Sequence, residues 1–319
     1  MPHEESQSAG AVLMVRPARF GYNPETAPSN AFQQTAAEGL AAAALAASGA
    51  DEFAAVADAL RRAGITVFVA DDSAEPHKPD AVFPNNWVSF HADGTVVLYP
   101  MLAPNRRAER REEIIEQVWR EGGFTIARRI DLSYREAEGR YLEGTGSLVL
   151  DRVAHIAYAC LSPRTDLGVL GEFAQRLDYE LVSFEARDPQ ARAIYHTNVL
   201  LAIGAEFAVV CADAIENPAQ RESVLSRLRG TGHEIVAISV EQMRRFAGNL
   251  LELKGARGNV IALSQTAWQS LAAAQHSALA RHGTIVAVPI PTIEQLGGGS
   301  VRCMLAEVHL PTRGAHLLS

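Results

Sequence analysis

The chain has 319 residues, 48% of them hydrophobic and 21% charged, with a formal net charge of −8. This is the composition of an ordinary soluble globular protein, large enough for one large core or two modest ones. No basic stretch alternates with exposed aromatics, which argues against a nucleic-acid partner, and no run of 18 apolar residues is free of charge, which argues against a membrane span.

Met1 to Gly10 is acidic and polar, unlike a secretory signal, and is expected to form a disordered tail. No linker divides the remainder, so residues 11–319 are expected to form a single domain. Ala11 to Val15 reads as a strand, Ala36 to Ala63 as one or two alanine-rich helices, and Ile65 to Val69 as a strand. A strand, turn, strand, helix, strand pattern then repeats. Its first copy has strands at Asn86 to Phe90 and Thr95 to Tyr99, and a polar helix from Arg106 to Arg120 with Ile114, Ile115, Val118 and Trp119 inward. Gly122-Gly123 stops that helix, and Phe124 to Ile130 returns as a strand.

The second copy has Ser147 to Leu150, Ala154 to Cys160, a helix from Asp166 to Leu177 and a strand from Tyr179 to Phe184. Thr165 or Asp166 can cap its helix, whose inner stripe is Leu167, Leu170, Phe173, Ala174 and Leu177. The third runs through Asn198 to Ile203, Glu206 to Cys211, a helix at Gln220 to Arg229, and Glu234 to Ser239. The fourth runs through Asn249 to Leu253, Asn259 to Leu263, a helix at Thr266 to Ala280, and Thr284 to Val288. A fifth begins at Ser300 with a strand from Val301 to Glu307 and lacks its helix. Ser147, Asn198, Asn249 and Ser300 stand 51 residues apart, and an even period of this kind argues a radial repeat. The two chain ends would then join into one blade and close the sheet edges. The alternative is an open α/β sheet.

The residues that could carry chemistry sit near the heads of these units. Cys303 follows the run Gly297-Gly298-Gly299. Glycines let backbone approach a ligand closely, and a thiol beside Arg302 could gain thiolate character; otherwise it is a buried, inert cysteine. Cys160 and Cys211 lie in apolar strand segments and read as core. The three cysteines form no CxxC pair and no disulfide framework, which indicates a reducing, cytoplasmic compartment. His196, at a strand entrance, suits proton transfer with a thiol or is merely structural. Glu143, flanked by Leu142 and Gly144, could orient His196 and hold a substrate N–H or bond turn amides.

Asp80, Asn85 and Asn86 beside Trp87 suggest a polar recognition site or a strand-entry turn. Arg107 and Arg164 are candidate forks for a substrate carboxylate, or solvated helix starts. There is no phosphate-binding loop, no H-E-x-x-H and no G-x-S-x-G, and the ten histidines form no obvious cluster, so neither a metal nor a cofactor is expected.

Taken together, Phe83-Pro84-Asn85-Asn86-Trp87, Leu142-Glu143-Gly144-Thr145-Gly146-Ser147, His196-Thr197-Asn198 and Gly297-Gly298-Gly299-Ser300-Val301-Arg302-Cys303 resemble motifs of the guanidino-group-modifying superfamily. That superfamily comprises arginine deiminases, dimethylarginine dimethylaminohydrolases and amidinotransferases, and the likeness is greatest to its citrulline-utilization hydrolase branch. The resemblance spans Val15 to Pro311. It implies a five-bladed α/β propeller, or pentein, of ββαβ units around a central pocket. It further implies Cys303 as nucleophile, His196 as acid/base, Glu143 as its partner, and Arg107 and Arg164 on the substrate carboxylate. Relatives that bind a guanidinium commonly carry carboxylates where Asn86 and Asn198 stand here. The expected substrate is therefore a small amino acid, citrulline before an arginine derivative, although Asp80 could still supply negative charge. The alternative is an arginine deiminase or dimethylarginine dimethylaminohydrolase. A homodimer is compatible with the sequence.

Overall fold

The computed structural model describes residues 5–35 and 41–313. Among these, fifteen strands form five three-stranded sheets of one design. In each, the first strand pairs antiparallel with the second, and the second pairs parallel with the third across a helical connection. Four sheets are consecutive in the chain: β3 (Val88–Phe90), β4 (Thr95–Leu98) and β5 (Arg128–Asp131); β6 (Leu148–Asp151), β7 (Ile156–Cys160) and β8 (Glu180–Phe184); β9 (Leu201–Ile203), β10 (Phe207–Val210) and β11 (Glu234–Ala237); β12 (Leu251–Gly255), β13 (Gly258–Ser264) and β14 (Thr284–Val288). The remaining sheet joins the chain ends. β1 (Ala11–Arg16) pairs antiparallel with β15 (Ala306–Glu307), Leu13 opposite Ala306, and parallel with β2 (Thr66–Asp71).

First strands face one another around an axis: β15 packs on β3, β6 on β9, and β9 on β12. The turn Gly144–Ser147 packs on β3, and the turn Val301–Met304 on β13. This is the expected five-bladed α/β propeller, closed by both chain ends, rather than an open sheet. Each blade buries its helix through a 3.6-residue stripe. In helix 112–122 the buried residues are Ile114, Ile115 and Val118; in helix 167–177 they are Val169, Leu170, Phe173, Ala174 and Leu177. Asp166 caps the latter by accepting from the Gly168 and Val169 amides, and Gly123 ends the former at φ 62°.

Several local expectations are corrected. Trp119 and Leu167 face solvent, one step beyond each apolar stripe, and Trp119 instead stacks under the Arg313 guanidinium. The region 104–122 is two elements, a 3-10 turn at Pro104–Glu109 and an α-helix at Glu112–Gly122. The helix expected at Thr266 to Ala280 breaks where Leu271 and Ala272 become extended, because Gln275 Oε1 accepts the Ala272 N–H and starts a new helix. Val301–Met304 is a 3-10 turn, not a strand. The long alanine-rich helix is Ala42–Arg62; residues 36–40 lie outside the described residues.

Residues 1–4 of the expected tail also lie outside the described residues, but Glu5 to Gly10 is packed structure. Gln7 donates from Nε2 to the Leu150 and Ile203 carbonyls, Ser8 Oγ donates to Glu252, and Glu5 pairs with buried Arg152. Polar residues serve there because Gln7 satisfies the Leu150 and Ile203 carbonyls, which would otherwise be buried without partners.

Candidate active site

A single structural rule places the chemistry. Each first strand is entered through a tight turn at the propeller axis, and each turn delivers a polar side chain. Asn86 ends the turn Pro84–Asn86, Glu143 precedes Gly144–Ser147, and His196 precedes Thr197–Val199. Asn249 stands ahead of β12, and Cys303 lies within Val301–Met304. The turn after Glu143 depends on glycine. Gly144 has φ 47°, and a Cβ there would sit 2.2 Å from the Asn85 carbonyl; a Cβ at Gly146 would fall 2.7 Å from His196 Nδ1. Tyr195 Oη donates to the Gly298 carbonyl at 2.5 Å and pins the glycine run that precedes Cys303.

Cys303, His196, Asp80, Asn86 and Arg164 line one cleft together with Asn30, Phe83, Arg106, Tyr195 and Gly297 to Gly299. Glu143 Oε2 lies 2.9 Å from His196 Nε2 and 3.3 Å from Arg164 Nη1; its Oε1 accepts the Leu102 amide. Burial would raise the Glu143 carboxyl. Arg164, the bond from His196 and Arg106 outweigh that and hold it well below the usual carboxylate range. Glu143 is thus an anion that can only accept, so His196 Nε2 carries the proton and Nδ1 keeps its lone pair. Burial pushes the His196 imidazole down to about 4, with Glu143 opposing and the two arginines assisting. At neutral pH it is an uncharged base.

Asp80 is buried, and burial raises its carboxyl, partly offset by Arg106 and by bonds from Asn23 and Thr26. Those bonds reach Oδ2; Oδ1 has no partner. Asn198 donates to Cys303 Sγ at 3.6 Å, while its Oδ1 is unpartnered. Asn86 Oδ1 accepts from Arg106 Nη1 at 2.9 Å, and its Nδ2 is unpartnered. Asn85 is fully buried with both amide ends unpartnered, but it is not in the cleft wall. Cys160 and Cys211 are core, their thiols pushed up to about 12 and about 11 by burial.

Two expectations fail on geometry. Arg107 is outside the cleft: it donates to the Met101 and Leu102 carbonyls and pairs with Glu136. The 3-10 turn rotates its neighbour Arg106 inward instead, where Glu109 holds it bidentately. Arg302 gives Cys303 no adjacent cation, since its guanidinium is bound to the Leu305 carbonyl and to Glu307. Arg164 does reach the cleft, buried against Ser29, the Thr26 carbonyl and the Tyr195 ring.

A model of the family described as N,N dimethylarginine dimethylhydrolase, eukaryotic, matches residues 16–310. The chain belongs to this family. It is thereby placed among the hydrolases of the guanidino-modifying superfamily, and its fold is that of solved penteins. One is the N-terminal domain of ArgZ, an arginine dihydrolase from the ornithine–ammonia cycle in cyanobacteria, in a cysteine-to-serine mutant bound to substrate. It has TM-score 0.72 at 17% identity and covers 94% of this chain and 98% of that one. A cysteine-to-alanine mutant of AgrE with L-arginine gives TM-score 0.71 at 17% identity, over 96% of this chain and 41% of AgrE. A dimethylarginine dimethylaminohydrolase adduct with S-methyl-L-thiocitrulline gives 0.64 at 16% identity, over 93% and 99%. No curated protein matches the sequence. No helix among the described residues is long and apolar enough to cross a membrane.

Sequence reasoning missed Arg106, Asn249, Tyr195 and Asn30. Arg106 carried a signal in Glu109, three residues on, which is the spacing of a helical ion pair. Asn249 carried a stronger one: it heads a repeat in the same place as Asn198.

Proposed function

We propose that the protein hydrolyses L-citrulline to L-ornithine, carbon dioxide and ammonia through a covalent intermediate on Cys303. One observation carries the choice of substrate, the polarity of the two unpaired amides. Arg106 can only donate, so Asn86 must turn Oδ1 toward it and present the Nδ2 donor elsewhere. Asn198, which is not in the cleft wall but bonds Cys303 Sγ from behind it, carries the complementary acceptor, Oδ1. A ureido group has an oxygen for the donor and N–H groups for the acceptor. A guanidinium has no acceptor to offer Asn86 and would leave its N–H groups facing another donor.

In this reading His196 Nδ1 takes the Cys303 proton, and the thiolate attacks the ureido carbon. Charge grows on the ureido oxygen, where the Asn86 donor strengthens its bond. His196 returns the proton to a departing nitrogen, one C–N bond breaks, and an S-carbamoyl enzyme remains. Water, deprotonated by His196, cleaves the C–S bond. The carbamate released decomposes, so citrulline and one water yield ornithine, carbon dioxide and ammonia whichever nitrogen leaves first. Arg164 would take the substrate carboxylate by exchanging its contacts to Ser29 and Thr26.

A second reading, hydrolysis of arginine or a methylated arginine, is favoured by Asp80, whose free Oδ1 offers a carboxylate oxygen in the cleft wall. The relatives' substrates favour it too. Comparing kcat/KM for citrulline, arginine and methylarginines decides between them. Asn86→Asp removes the donor and sets an anion against the developing oxyanion. It is expected to lower kcat/KM for citrulline by about a hundredfold while raising the arginine-to-citrulline ratio. Wild-type preference for arginine, or an N86D variant as fast on citrulline, contradicts the citrulline reading.

A further inference from the structure

Asn249 is completely buried, and both of its side-chain polar atoms are hydrogen-bonded. Its Oδ1 accepts the Arg302 backbone N–H at 3.1 Å. One Nδ2 hydrogen goes to the Asn198 carbonyl at 3.0 Å and the other to Cys303 Sγ at 3.3 Å. The orientation is unambiguous, because the Arg302 amide can only donate and the Asn198 carbonyl can only accept. Asn249 thus ties together the turn carrying Cys303, the turn carrying Asn198, and the sulfur itself.

Among the described residues, no Arg or Lys donates a hydrogen bond to that sulfur. Arg302 is turned away to Glu307, and Arg106 and Arg164 are engaged by Glu109 and Glu143. The sulfur's hydrogen-bond donors are the two amides of Asn198 and Asn249. We infer that Asn249 acts directly on the nucleophile, its Nδ2–H donor stabilising the Cys303 thiolate while its other two bonds fix the sulfur's position. Hydrogen bonds to an anion are shorter and about twice as strong as neutral ones. The donor therefore favours the thiolate over the thiol, with no positive charge needed in a cleft built for a neutral ureido group.

The inference rests on Cys303 being the nucleophile, so its test reads the thiol independently of turnover. Cys160 and Cys211 are fully buried in the core, whereas Cys303, 4% exposed, opens onto the cleft, so alkylation by iodoacetamide, mapped by peptide mass, reports on Cys303. Asn249→Asp keeps the shape, deletes the donor and adds a negative charge. It should slow alkylation at pH 7 by about tenfold or more and displace the alkylation–pH profile to the alkaline side. Asn249→Ser, smaller and neutral, should fall between wild type and N249D, and it decides the matter should N249D fail to fold. Circular dichroism and thermal unfolding identify the folded variants. A folded variant whose alkylation profile superimposes on that of wild type overturns the role of Asn249 alone. A wild-type Cys303 that iodoacetamide does not modify overturns the nucleophile assignment, and this inference with it.

Discussion

Cys303→Ser is expected to lower kcat for citrulline by roughly four orders of magnitude while leaving the fold and substrate binding intact. The substitution changes one buried atom and removes no backbone contact, since the Cys303 N–H bond to the Ser300 carbonyl at 2.9 Å remains. The chemistry changes completely. A serine hydroxyl is far less acidic than a thiol and is both a poorer nucleophile and a poorer leaving group, so the covalent intermediate forms and breaks down far more slowly. Ammonia release from citrulline by the purified variant, alongside citrulline binding by calorimetry, checks this. Binding retained with turnover lost is the expected pair of results.

Glu143→Gln is expected to have the second largest effect, on both activity and stability. The carboxylate receives His196 Nε2–H and lies 3.3 Å from Arg164 and 3.8 Å from Arg106, all of them buried. Removing its charge strands the buried Arg164 guanidinium, since Arg106 keeps Glu109, at a cost of about 3–5 kcal/mol. It also removes the one interaction that raises the proton affinity of His196. The imidazole of E143Q should therefore titrate below that of wild type, itself near 4 rather than near the 6.5 of a free histidine. With a still weaker base, and a neutral amide no longer dictating which nitrogen holds the proton, kcat/KM should fall by about a thousandfold. Ring NMR titration of His196, steady-state kinetics and thermal unfolding measure the three effects. A wild-type titration near 6.5, or an E143Q enzyme of undiminished stability, would contradict the electrostatic account.

The propeller was legible because its repeat is periodic twice over. Short, largely apolar strand runs recur with helical-period stretches between them, and the heads of four copies stand 51 residues apart. Cys303, His196 and Glu143 were legible for a related reason: each sits where a polar residue interrupts an apolar strand entrance next to glycine or a turn. Arg106 and Arg107 were not separable, because which of two adjacent arginines turns inward depends on a 3-10 turn, and no periodicity encodes that geometry. Asn249 was visible as a repeat head, but its bond to Cys303 Sγ spans 54 residues and exists only once the ring closes. Glu5 to Gly10 looked like a tail since its polarity suits solvent equally well. The carbonyls of Leu150 and Ile203, brought together only in the fold, give buried Gln7 its partners.

Transfer of the citrulline carbamoyl group to the sulfur of Cys303 can be caught by trapping the intermediate. The enzyme is mixed with ureido-labelled citrulline, quenched in acid within the first turnovers and digested, with the small products identified by mass spectrometry. The account predicts a peptide containing Cys303 heavier by one labelled carbamoyl group, or by that group still joined to ornithine, together with ornithine, ammonia and labelled carbon dioxide. Label on another residue contradicts it, as does an enzyme that leaves citrulline untouched while converting arginine or a methylarginine to citrulline.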